Sequence, residues 1–107
     1  METPNFRESF KNDLTKIFAN MSRNNQQFVL GDIQKQAVDY TTTMCIELDE
    51  KSEGLLTDKM TLDITNQVCD VMDMFFPEFK KSNNMRDLTI EQTKLLVLQY
   101  KFKKMID

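Results

Sequence analysis

The stretch IQKQAVDYTTTMCIELDE, residues 33–50, decides the fold. It supports two readings. Val38, Tyr40, Thr42, Met44, Ile46 and Leu48 occupy every second position, and Thr41, Thr42 and Thr43 are β-branched, which is a strand signature. Ile33, Ala37, Tyr40, Met44 and Leu48 instead recur at helical spacing. The helical pattern starts earlier, at Ile33, and reaches Glu50 without a breaker. We therefore read a helix, and with it an all-α chain.

Upstream, Phe28-Val29-Leu30-Gly31-Asp32 reads as an apolar anchor, a turn and a helix cap, with Asp32 accepting from the first amides. Before it, Phe6, Phe10, Leu14, Ile17, Phe18 and Met21 form one apolar stripe. Arg7, Glu8, Lys11, Asn12, Asp13 and Lys16 cover the rest of the circumference. Thr3 is the expected cap and Pro4 the first helical residue. The polar run Arg23-Asn24-Asn25-Gln26-Gln27 follows the expected stop at Ser22.

Downstream, Asp49 to Met60 is a connector with Gly54 as its turn residue and Thr57 or Thr61 as the next cap. Met60, Ile64, Val68, Val71, Met72, Phe75 and Phe79 trace a buried stripe. Leu62, Cys69 and Phe76 widen it beyond half the circumference. Pro77 ends or kinks this helix, and Lys80 to Asp87 reads as a loop. Thr89-Ile90-Glu91-Gln92 then matches a capping box. Leu95, Leu98, Phe102 and Met105 give the last stripe, with Leu96, Tyr100 and Ile106 beside it. Leu96, Leu98, Tyr100 and Phe102 also alternate as a strand would, but the cap and the length favour helix.

The expectation is one domain over residues 1–107: a small all-α, four-helix bundle with helices near 4–22, 32–51, 60–77 and 89–105. Its expected core is Phe10, Leu14, Ile17, Ile33, Met44, Ile64, Val68, Val71, Phe75, Leu95, Leu98 and Phe102. A chain of 107 residues is long enough to bury such a core without a metal or a disulfide.

Composition removes most enzyme classes. Histidine and tryptophan are absent, and there are two cysteines and two glycines against eight phenylalanines and eight methionines. Without histidine the usual general base, nucleophile activator and metal ligand are missing. Two glycines cannot build a phosphate-binding loop. Cys45 and Cys69 read as buried free thiols. Asp70 and Asp73 stand one turn apart, as do Asp63 and Asn66, a spacing ordinary for a charged helix face. Asp49 to Met60 overlays a twelve-residue calcium loop, but Lys51 replaces a ligand oxygen and Met60 the bidentate glutamate. No catalytic residue, cofactor or metal site is expected. The longest apolar runs are about four residues, too short for a membrane span. The N-terminus shows no basic leader or apolar run, so a cytoplasmic location is expected.

Charge is uneven. Residues 32–78 carry three basic and eleven acidic side chains, and residues 79–107 seven basic and three acidic. The methionine- and phenylalanine-rich stripes suit an adaptable contact surface. The functional expectation is a non-enzymatic protein-binding module, an inhibitor or adaptor of the kind small viral or phage accessory proteins supply. Its partner is unidentified, and the chain itself is expected to form a homo-oligomer. The expected contact surface is the back of the third helix: Leu62, Cys69, Asp73 and Phe76, rimmed by Asp63 and Asp70. The alternative is nucleic-acid or anion binding through Lys94, Lys101, Lys103 and Lys104, against which stands a net charge of −3.

Overall fold

The computed structural model describes residues 3–24, 29–82 and 84–106. Phe28, read as an apolar anchor, and the Phe18 side chain lie outside them. The described residues form five helices and no strand: α1 (Arg7–Arg23), α2 (Leu30–Lys51), α3 (Asp58–Phe75), α4 (Pro77–Lys81) and α5 (Met85–Ile106). Both stretches with strand-like alternation are helical. The molecule measures 43 × 28 × 26 Å.

Several boundaries differ from expectation for identifiable reasons. Thr3 and Pro4 precede α1 instead of opening it, and Phe6 is the N-cap residue. The buried Gln67 of α3 holds this segment. Its Oε1 accepts from the Phe6 N–H at 2.6 Å, and its Nε2 donates to the Pro4 carbonyl at 3.0 Å. Thr3 donates to Asp63 at 3.2 Å. These long-range bonds lay residues 3–6 along α3 and outweigh the local cap. α2 starts at Leu30, after an extended Val29, so Asp32 sits in the first turn and not at the cap.

Thr57 does cap α3, accepting from the Met60 N–H at 3.1 Å. Phe75 ends α3 and Pro77 opens the short α4, whose last two residues, Lys80 and Lys81, fall in the stretch read from sequence as a loop. α5 begins at Met85, four residues ahead of the expected cap. Its first turn is anchored to α3 by Arg86, which bonds Asp70, Asp73 and the Asn66 carbonyl. Thr89 therefore lies inside the helix, fully buried.

The turn from α2 to α3 is a Schellman arrangement. The Gly54 N–H donates to the Asp49 carbonyl at 2.8 Å and the Glu53 N–H to the Glu50 carbonyl at 3.3 Å. Gly54 has φ +89° and tolerates it. Glu53, at φ +59°, is the described non-glycine residue held in the left-handed region.

Two apolar clusters make the core. One gathers Phe10, Leu14, Ile33, Ala37, Val68, Cys69, Val71, Met72, Phe76 and Phe79, with Ile17 and Phe75 half-buried against it. The other gathers Cys45, Leu56, Met60, Ile64 and Val97, with Met44 half-buried. On α2, Thr41 lies one turn from both Ala37 and Cys45, so it stands between the clusters. Thr65 of α3 and Thr89 and Thr93 of α5 are buried with it. Three of these hydroxyls are turned back onto their own helices: Thr41 to Ala37, Thr65 to Thr61 and Thr89 to Met85, at 2.7–2.8 Å. With the hydroxyl satisfied locally, each presents a methyl group to its neighbours and behaves as a small apolar residue.

That packing reverses the expected phase of α5. Leu95, Leu98 and Phe102, expected in the core, are 56%, 57% and 64% exposed. The face turned inward is Thr89, Thr93 and Val97. α2 presents small residues to it (Ala37, Thr41 and Cys45), as does α3 with Thr61 and Thr65. Small side chains such as these leave room for threonine and valine, where leucine and phenylalanine would hold the helices apart.

Candidate protein interaction surface

α5 thus carries two apolar faces. The inner one is threonine and valine. The outer one runs through Leu88, Leu95, Leu98, Phe102, Met105 and Ile106, all between 44% and 84% exposed. At 100° per residue this stripe is centred on the side of the helix opposite Thr89, Thr93 and Val97. A run of large apolar side chains in water is the arrangement that marks a contact surface. Beside it, a groove of about 310 Å³ between α3 and α5 is lined by Leu62, Ile90, Leu98 and the stems of Lys59, Lys94 and Lys101, among others.

The phase of α5 is held by polar contacts at both ends. At the start, beyond the Arg86 anchor, the buried Gln34 of α2 donates to Thr89 at 3.2 Å and to Gln92 at 2.8 Å. Near the end, Lys101 donates to the Leu56 carbonyl at 3.0 Å, and Lys104 to the Asp49 carboxylate at 3.2 Å. Asp49 is 3% exposed. Burial by itself would raise its pKa, but the Lys104 ammonium and the Leu56 N–H outweigh burial and leave the carboxyl below its usual range. Asp49, the first position of the calcium-loop overlay, is therefore a structural clip.

The expected surface on α3 is divided by the fold. Leu62 is exposed on the groove. Cys69 is fully enclosed and Phe76 is 9% exposed, both inside the first cluster. Asp70 and Asp73 pair with Arg86, and Asp70 also with Arg7 at 3.3 Å. Asp63 accepts from Thr3. The wide apolar circumference of α3 is explained by burial against α1, α2, α4 and α5. Of the four C-terminal lysines, Lys101 and Lys104 are engaged with the α2–α3 turn, while Lys94 and Lys103 stand exposed.

Both cysteines are free and buried. Burial pushes the Cys45 thiol up to about 11 and the Cys69 thiol up to about 12, so neither is a poised nucleophile. Among the described residues, no group of three or more Cys, Asp or Glu side chains is placed to hold a metal ion. Among them also, no helix is long and apolar enough to cross a membrane.

Comparison with protein-family models, with curated proteins and with solved structures finds no match. The surface has to be read from its own chemistry. Sequence reasoning missed the outer face of α5 because it took Thr89 for a helix cap and gave Thr93 no place in a buried stripe. The signal that could have found it is the four-residue spacing of Met85, Thr89, Thr93 and Val97, a second stripe of residues that can bury.

Proposed function

We propose that the chain is a non-enzymatic protein-binding module, an adaptor or inhibitor, that docks through the outer face of α5. One observation carries the reading. α5 directs its largest apolar side chains away from its own core and its threonines into it, an arrangement that wastes leucine and phenylalanine burial unless another surface covers them. The flanking positions favour a protein partner over a nucleic acid. Gln99 borders the stripe, and two of the four C-terminal lysines already serve intramolecular contacts. Adaptor or inhibitor action then follows from covering a partner's apolar surface, a task that needs no catalytic group.

Site-specific photo-crosslinking in the source cell tests this reading. A photoreactive residue replaces Lys94 or Gln99 beside the outer face, or Gln36 on α2 as an exposed control. The expected result is a protein adduct from both α5 positions and none from Gln36. The absence of any protein adduct from α5, or adducts to nucleic acid alone, would reject the module as described.

A further inference from the structure

The outer face of α5 has a regular spacing. Leu88, Glu91, Leu95, Leu98, Phe102 and Met105 follow one another at intervals of three, four, three, four and three. That is the seam of a two-helix coiled coil, with one acidic residue in it. All six side chains are exposed. The seam covers two and a half heptads, shorter than a free coiled coil requires. Here, however, the helix is already ordered by its packing on α2 and α3, so association does not have to fold it.

We infer that this face pairs with the same face of a second copy of the chain, the two α5 helices running antiparallel. The inference rests on the docking reading above and names its occupant. Direction follows from charge. A parallel pair would set Glu91 against Glu91 in the seam. Reversing one helix, with Leu95 opposite Leu98 of the second copy, removes that conflict. Leu88 then meets Met105 of the second copy. Glu91 meets Phe102 of the second copy, beside that copy's exposed Lys103, where its carboxylate finds opposite charge. The Leu95–Leu98 layers fall at the centre, and the two-fold axis passes between Leu96 and Val97. Such an interface is self-complementary and closes at two copies. The antiparallel helix dipoles also oppose favourably.

Sedimentation equilibrium over a hundredfold range of concentration tests the pairing. The expected mass rises to twice 12.6 kDa at the high end. Leu98→Asp and Leu95→Asp, each at an exposed position, return it to 12.6 kDa with helix content by circular dichroism unchanged. Direction is read by disulfide trapping. Antiparallel pairing predicts little disulfide dimer from Leu88→Cys or Met105→Cys alone and efficient cross-linking when the two are mixed; the buried Cys45 and Cys69 do not compete. Cross-linking of each variant with itself and not in the mixture would overturn the direction. A chain that stays at the monomer mass throughout, or a dimer indifferent to both aspartates, would overturn the pairing. In that event a protein adduct from Gln99 to some other polypeptide leaves the docking reading standing, and the absence of any adduct removes both.

Discussion

Replacing Thr93 and Thr89 in turn by valine tests the phase of α5 with the smallest possible change. Both residues are fully buried one turn apart on the same face. Their hydroxyls are in different situations. Thr93 Oγ1 is enclosed with no hydrogen-bond partner, whereas Thr89 Oγ1 donates to the Met85 carbonyl at 2.8 Å and accepts from Gln34 at 3.2 Å. A buried hydroxyl without a partner costs about 1–3 kcal/mol, and the methyl that replaces it contributes about 0.8 kcal/mol of burial. Valine and threonine have similar helix propensities. Allowing for relaxation around the hydroxyl, Thr93→Val is expected to stabilise the fold by about 1 kcal/mol. Thr89→Val loses two bonds of about 0.5–1.5 kcal/mol each and recovers one methyl, a net loss of about 1 kcal/mol. Urea unfolding at one protein concentration gives both values from the midpoints, provided the slope is unchanged. If the leucine face were packed inward instead, both threonines would be solvated and both variants would fall within about 0.5 kcal/mol of the parent. That outcome, or two shifts of the same sign, would refute the assigned phase.

Two further effects follow from the turn between α2 and α3. Asp49 has its folded pKa held below the ordinary carboxylate value. Its contribution to stability is therefore present above about pH 4, near the unfolded pKa, and is lost as pH falls through the lower folded value. Asp49→Asn should be less stable than the parent at pH 7, with the gap closing in acid. Urea midpoints at pH 7 and pH 3 check this, and a constant gap would contradict it. Glu53→Gly relieves a left-handed backbone at φ +59°. The gain should be about 0.5–1 kcal/mol, since the strain relieved exceeds the added flexibility of the unfolded chain. A melting temperature that falls would show that Glu53 makes a contact worth more than its strain.

The all-α class was legible in the chain because it depends on local terms. Helical spacing from Ile33 to Leu48 outweighs the strand-like alternation of Val38 to Leu48, and no breaker interrupts it. The cap at Thr57, the turn at Gly54 and the stop before Pro77 act within a few residues of themselves, so each could be read where it stands. The buried stripe of α3 was legible for a related reason: large apolar side chains there have no competing inward face.

Boundaries set by distant partners were not legible. Gln67 holds the backbone at Pro4 and Phe6 from more than sixty residues away in sequence, and Arg86 starts α5 four residues ahead of its apparent capping box. The phase of α5 belongs to the same class and matters most for function. Taken alone, that helix has two faces able to pack. Hydropathy ranks the leucine and phenylalanine face first because it scores a threonine hydroxyl as though water had to solvate it. In the folded chain Thr41, Thr65 and Thr89 return their hydroxyls to their own helices. The seam offered by α2 and α3 is then lined by small side chains, among them Ala37, Thr41, Cys45, Thr61 and Thr65, and accepts threonine and valine. Which face of α5 turns inward is decided by that lining together with the polar contacts of Gln34, Arg86, Lys101 and Lys104. Those are properties of several helices together, written in no one of them.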